Sequence, residues 1–284
     1  MDENKEKIKR VKELLDKTTH ILIAGGEHLS EEAGLDMYGD MFTDNFQDFI
    51  ERYGFTNMYN GTFYPYSHEE ERWAYLARYF YTYHTFKATE LYKKLFQLVE
   101  KKDYFVITKN FDEQFYKAGF KKSRVYASTG DYRHLQCRDG CSNDLYDFVD
   151  LMERMVKQTD RDRMIPTQLI PKCPKCGGLM DLHFTSNENF IKDSSFAKQH
   201  EKYGRFTTRC ENEKTLVFDF ENTKTFERTV LGNKNWTLVQ FDKEKGKLRS
   251  KGSSLFKSIQ GKNKIENIIS FEGKIEPIID QLLK

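Results

Sequence analysis

Charge of one sign is missing from this sequence. Its 46 lysines and arginines meet 44 aspartates and glutamates, for a formal net charge of +2 over 284 residues. That balance gives no general case for nucleic acid as a partner, because binding a phosphate backbone needs a basic face. Long apolar runs are missing too. No stretch approaches the roughly 20 residues that cross a bilayer, so no membrane association is expected. The opening residues, Met1 to Lys7, are charged and lack the apolar core of a signal peptide. With cysteines whose pattern does not call for disulfides, a cytoplasmic location is expected. Internal repeats are absent, and cysteine is scarce, at five residues.

The few cysteines nevertheless form a pattern. Cys137-Arg-Asp-Gly-Cys141 and Cys173-Pro-Lys-Cys176 are two close pairs, while Cys210 stands alone. Two thiolate hooks separated by a loop or two strands are how a chain makes a tetrahedral four-cysteine zinc site. Gly177 and Gly178 let backbone amides turn toward the sulfurs. Cys137, Cys141, Cys173 and Cys176 are therefore the expected ligands of one structural Zn2+, with chance spacing of free thiols as the alternative. Aromatic residues are abundant, with 23 Phe and 16 Tyr. Many lie between Met37 and Phe86. Such a stretch either walls a ligand cleft or packs a helical module.

Hydrophobic periodicity predicts a helix over 3–17, then a buried strand from His20 that ends in Gly25-Gly26. Ser30 is expected to start and cap the next helix. Residues 42–86 read as mostly helical, with breaks at Gly54 and around Asn60-Gly61 and Pro65; 86–101 is a further helix. Tyr104–Thr108 and Arg124–Ser128 are further strands, around a short helix from Asp112 to Lys117. Later strands are Thr215–Phe220 and Trp236–Phe241, and 273–283 is a final helix. The order strand, helix, strand, helix, strand predicts an α/β fold: a doubly wound, parallel, Rossmann-like sheet. A small four-cysteine zinc-ribbon module spans 132–180, including a charged helical segment over 144–165. The remainder, 1–131 and 181–284, forms the Rossmann-like domain, with a helical, aromatic-rich insert at about 36–86. In such sheets ligands sit at the carboxyl ends of strands. Gly25-Gly26, Thr108 to Asp112 and Thr129-Gly130 all fall there and should face one cleft.

Those same residues carry a resemblance. Gly26-Glu-His-Leu-Ser30, Thr108-Lys-Asn-Phe-Asp112 and Thr129-Gly130, followed by the two cysteine pairs, resemble in order and spacing the motifs of the sirtuin (Sir2) family. There the counterparts are Gly-Ala-Gly-x-Ser, Thr-Gln-Asn-Ile-Asp and His-Gly, followed by a four-cysteine zinc ribbon. The stretches Asn45 to Phe55, Met58 to Pro65, Gly130 to Tyr132 and Gln136-Cys137 are similar to the macrodomain-linked M class of that family. This resemblance implies an NAD-dependent protein ADP-ribosyltransferase rather than an efficient deacylase. It implies a protein acceptor, such as the lipoyl-carrier protein that some members modify. It also implies that Asn110 holds the nicotinamide ribose and that Asp112 stands beside the nicotinamide pocket. Gly25, Gly26, Ser30, Asn222 and Thr223 would complete the NAD site, with Thr129 at the position of the catalytic residue. Asp112 and Ser30 can equally act as helix caps.

The sequence departs from the family at four places. His28 stands where a second loop glycine lets the backbone approach the pyrophosphate. Thr129 replaces the catalytic His, and a threonine hydroxyl has no pKa near 7 with which to act as a base; His134 is a nearby substitute, although strand alternation should turn it away. Asn222-Thr223 survives without the glycines expected before it, and Asp219 and Glu221 add negative charge. Asp181-Leu-His183 replaces a segment in which the M class has an arginine. The alternative is therefore a sirtuin fold kept as a binding or scaffold module, or one with a different nucleotide ligand. The basic stretch Lys243 to Lys264 reads as a solvated face, or as a dock for an acidic partner such as a carrier protein.

Overall fold

The computed structural model describes residues 2–221, 224–242 and 267–284. Among these, no helix is long and apolar enough to cross a membrane. Apolar runs become strands β1 (His20–Gly25), β2 (Asp103–Thr108) and β3 (Val125–Ala127) in the first half of the chain. Strands β4 (Gly130–Cys137), β5 (Tyr146–Asp147) and β6 (Met180–Phe184) follow, then β7 (Thr215–Asp219), β8 (Trp236–Asp242) and β9 (Ile268–Glu272). The large sheet has six strands in the order β3-β2-β1-β7-β8-β9. All its pairings are parallel. The chain winds outward from β1 on one side, then returns to β7 on the other, so the strand order reverses between β1 and β7.

Alternation along the strands feeds two layers of core, because successive side chains point to opposite faces. Ile21, Ile23, Val106, Leu216, Phe218 and Val239 pack on one face. Helices α1 (Asp2–Lys17) and α6 (Glu90–Val99) and the C-terminal helix α11 (Ile275–Leu283) cover that face. Leu22, Ala24, Phe105, Val217 and Leu238 point the other way, against Phe206 and Cys210 of α9 (Ser194–Cys210) and Phe226 and Val230 of α10 (Lys224–Leu231). The solitary Cys210 is thus a buried core residue. Asp193 caps α9 by accepting from the amides of Ser195 and Phe196. Neither α9 nor the edge strand β9 was expected from the sequence. The α9 stretch is charged and its apolar stripe is narrow, and β9 is a run of only five residues.

A third core is separate from both. It joins the insert helices α3 (Asp40–Tyr53), α4 (Met58–Thr62) and α5 (Glu69–Thr85) to the three-stranded sheet β5-β4-β6 and to helix α8 (Val149–Gln158). Phe46, Phe49, Trp73, Tyr75 and Phe80 meet Tyr132, Phe148 and Met152 there, all buried. The aromatic stretch therefore mainly packs a helical module. Tyr75 sits at its centre, with ring centroids 5.0 Å from Phe46 and Phe49, and its hydroxyl donates to Met58 O at 2.7 Å. Ion pairs tie α5 to β6: Asp181 accepts from Arg72 at 2.5 Å and from Arg138 at 3.1 Å. Several helix boundaries differ from expectation. Helix α2 (Glu27–Glu32) begins three residues before Ser30, α6 begins at Glu90 rather than 86, and the helix expected from Asp112 begins at Gln114. Helix α8 takes up only Val149–Gln158 of the segment 144–165, and Asn60-Gly61 lies inside α4, where Asn57 and Asn60 form a capping box.

Candidate nucleotide site and metal centre

Parallel pairing brings three strand ends level, with Gly25 opposite Thr108 and Thr108 opposite Ala127. The exit loops are knitted together at once. Lys109 N donates to Gly25 O, Ser128 N to Thr108 O and Phe220 N to Ala24 O, at 2.9–3.2 Å. A Cβ on Gly25 would lie 2.6 Å from the Phe115 ring, and one on Gly26 would lie 2.8 Å from Cα of Glu221. Both positions therefore require glycine for close packing between strand ends.

At the end of β2 four polar side chains converge. Asp112 is 2% exposed, and its Oδ2 accepts from the Ser30 hydroxyl at 2.5 Å and from the Tyr92 hydroxyl at 3.1 Å. Its Oδ1 accepts from the backbone amide of Gln114 at 2.9 Å, just ahead of helix α7 (Gln114–Lys117), where Glu113 holds the cap position with φ 56°. Asn110 stands beside it, with Nδ2 donating to Gly26 O at 3.0 Å and to Tyr92 Oη at 3.1 Å. Burial pushes the Asp112 carboxyl above its ordinary value, against the opposing hydrogen bonds from Ser30, Gln114 and Tyr92. Burial, with Asp112 alongside, likewise holds the Tyr92 phenol well above its ordinary value, so it remains a donor at neutral pH.

Ser30, Asn110 and Asp112 are thus brought together from three separate places in the sequence. Tyr92 has no signature in the linear pattern, since it sits among Leu91, Leu95 and Val99 on the buried face of α6. The only available signal was a phenol in an apolar stripe, which needs a buried partner for its hydroxyl. Thr129 shares no hydrogen bond with this quartet; its hydroxyl donates to Lys109 O at 3.2 Å. His28 is buried within α2. Asn222, Thr223 and the stretch Lys243 to Lys264 lie outside the described residues. Asp219 Oδ1 accepts from the amide of Glu221 at 2.9 Å, and Glu221 pairs with Lys109 Nζ at 2.5 Å, which offsets its charge.

His134 lies on β4, where its Nδ1 is 2.8 Å from Asp131 Oδ1. The hydrogen bond to Asp131 raises its pKa above the ordinary imidazole value. Burial alone would raise Asp131, but hydrogen bonds from His134 and His183 outweigh it and hold the carboxyl well below its ordinary range. A histidine raised by folding adds stability that is complete below its unfolded pKa and lost as pH rises through the folded one. His134 is therefore expected to titrate above about 6.5 in the folded chain. Asp131→Asn should bring it back toward that value in an NMR titration, and an unchanged curve would refute the pairing.

The four paired cysteines meet as expected. Their Sγ atoms all lie within 4.8 Å of one another, with Cys137–Cys176 at 3.7 Å and Cys141–Cys173 at 3.5 Å. Tetrahedral Zn–S bonds of about 2.3 Å put sulfurs about 3.8 Å apart, so the donor set and its spacing fit this ion. Hydrogen bonding to Cys173, Cys137 and Cys176 pushes the Cys141 thiol up to about 12. A cation among the four would reverse that.

Asn110 also fits part of a dinucleotide. Its amide N–H groups are committed to Gly26 and Tyr92, and among the described residues its Oδ1 accepts no hydrogen bond. An acceptor at a strand end, backed by a buried carboxyl, suits a ligand rich in hydroxyls.

Comparison with known proteins agrees with this geometry. No family model matches the chain. A protein ADP-ribosyltransferase of Staphylococcus aureus is 32% identical over 221 residues, covering 77% of this chain and 70% of that protein. Solved structures with the same fold include a Sir2 homologue–NAD complex (TM-score 0.60, 13% identity, 97% of this chain and 92% of that one). A Sir2 homologue mutant with 2′-O-acetyl ADP ribose gives a TM-score of 0.61 at 14% identity, over 97% of this chain and 94% of that one. A Sir2 protein bound to a propionylated peptide gives 0.56 at 17%, over 97% and 95%. With that sequence relative and these shared folds, the chain belongs to the sirtuin family and resembles its macrodomain-linked M class.

Proposed function

We propose that this chain transfers ADP-ribose from NAD to a protein acceptor, with one zinc ion held by Cys137, Cys141, Cys173 and Cys176 as a structural element. The observation that carries the reading is the joined quartet of Ser30, Tyr92, Asn110 and Asp112 at the strand ends. Bound NAD would supply an activated glycosidic bond to a nicotinamide leaving group. Asn110 Oδ1 would accept from a hydroxyl of the adjoining ribose, and Asp112 would keep a hydrogen-bonding carboxyl beside the leaving group. Ser30 and Tyr92 fix that carboxyl. Thr129 provides no base at neutral pH, which favours transfer over deacylation. The acceptor is expected to approach along the insert, where Tyr59 and Phe63 are exposed and line a groove with Tyr53, Phe55 and Tyr64. A lipoyl-carrier protein is the first acceptor to try.

A second reading is a sirtuin fold kept for its surfaces. One observation favours it: the tight contact between Gly26 and Glu221 fills the crossing from β1 to β7 with protein atoms. Calorimetry of the zinc-loaded chain separates the two. NAD binding at or below about 100 μM, equivalent to about 5.5 kcal/mol, is expected, and its weakening by about tenfold in Asn110→Ala supports the transferase. No heat at millimolar NAD would sink the transferase reading and favour the second.

A further inference from the structure

The buried hydroxyl of Tyr92 lies between the two side chains on which the proposed NAD site depends. It touches Asn110 at 3.1 Å and Asp112 at 3.1 Å and is fully buried. The Ser30 hydroxyl, 3.4 Å away, gives its own proton to Asp112 Oδ2, and the phenol donates to the same oxygen, so Tyr92 presents a lone pair to Asn110. The second neighbour of the Asn110 amide is the carbonyl oxygen of Gly26, which also only accepts. Both groups on that side of Asn110 therefore require N–H donors. A flipped amide would set its oxygen against two acceptors, with no partner left for its N–H groups.

We propose that Tyr92 is a positioning residue that locks the Asn110 amide in one orientation, so that Oδ1 is kept as an acceptor for a ribose hydroxyl. The direction of the lock comes from Asp112, through the phenol proton, and reaches Asn110 only by way of Tyr92. The ligand class it selects is a nucleotide whose terminal ribose offers a hydroxyl donor. A ligand presenting only acceptors at that point meets an oxygen that cannot turn away. The inference rests on the NAD reading above.

Tyr92→Phe keeps the ring, which packs edge-on to Phe115 with centroids 4.9 Å apart, and removes only the hydroxyl. NAD and ADP-ribose affinity, measured by calorimetry, is expected to fall about tenfold, the scale of one lost hydrogen bond of about 1.4 kcal/mol. In an Asn110→Ala background the same change should have little further effect, because its route to the ligand is gone. A residue that only stabilises the fold would give additive losses instead. In 15N-labelled protein without ligand, the Asn110 side-chain amide, assigned by its absence in Asn110→Ala, should exchange at least about tenfold faster in Tyr92→Phe. If the wild type binds NAD and Tyr92→Phe binds it equally, or if the two losses are additive, the positioning role is overturned while the transferase reading stands. If the wild type binds no NAD, the transferase reading falls and takes this inference with it.

Discussion

Cys173→Ser is expected to unfold the small module while the six-stranded sheet stays folded. Cys173 is 2% exposed, its amide donates to Gly178 O, and its sulfur lies 3.5 Å from that of Cys141. Structural zinc in small finger domains contributes about 10–16 kcal/mol of apparent binding energy. Even a fraction of that exceeds what the short β5-β4-β6 sheet could supply from its own pairing. The consequence should spread beyond the cysteines, because Cys137 and Cys173 sit in the same core as the aromatic insert. The chain reports this unaided. It has two tryptophans, Trp73 in that core and Trp236 in the core behind the large sheet. Both are buried, at 0% and 3% exposure. With Trp236 replaced by Phe, the fluorescence of Trp73 should shift to the red on chelation or in Cys173→Ser. With Trp73 replaced, Trp236 should change little under the same conditions. Parallel shifts of both would mean that the two cores unfold as one, and no shift of Trp73 would mean that the thiolates hold nothing together.

Gly130→Ala should be the most damaging substitution that removes no atoms. Gly130 has φ +91°, and a Cβ there would lie 2.1 Å from the carbonyl oxygen of His183. That oxygen belongs to β6, which pairs with β4 across this point, so neither side can retreat without breaking the ladder. A left-handed backbone and a clash with main chain together cost on the order of 3 kcal/mol or more. Gly34 is the matched control. Its φ is +87°, yet a Cβ there meets nothing within 4 Å. Gly34→Ala should therefore cost only about 1 kcal/mol, the backbone term alone. Urea midpoints of the two variants measure the difference, and equal midpoints would show that the junction yields. Thr129 immediately precedes it, with its carbonyl accepting from Thr185 N at 3.0 Å. Displacing β4 from β6 would move Thr129 away from Lys109.

Much of this protein was legible in its residues. The four paired cysteines state their geometry in their spacing, because the reach of a turn with two or three residues between its cysteines is set by covalent dimensions rather than by the rest of the fold. The strands β1 and β2 read as short buried apolar runs and β7 and β8 as later strands, and the alternation of strands with helices marked the sheet as parallel. Glycines follow β1 where the chain must turn, and Asn110 and Asp112 follow β2 at the end where ligands of such sheets bind. Local chemistry determined each of these features.

The tertiary structure decided what local chemistry leaves open. Ser30 and Asp112 each read as a helix cap, and neither holds the cap position of its own helix; Asp112 still accepts from the first amide of α7 through Oδ1, while its Oδ2 takes the Ser30 hydroxyl. That choice depends on α2 and the β2 exit loop lying side by side, which only the parallel pairing of β1 with β2 produces. Tyr92 was one apolar-face residue among several until the packing of α6 placed its hydroxyl between Asn110 and Asp112. The carboxylates Asp219 and Glu221 looked like surplus negative charge in sequence. In the fold, Asp219 holds its own strand's exit, and Glu221 meets Lys109 from the far side of β1. The order of residues sets which groups a chain can offer, whereas long-range contact sets which of them face one another, and a buried polar site is made of the second kind of information.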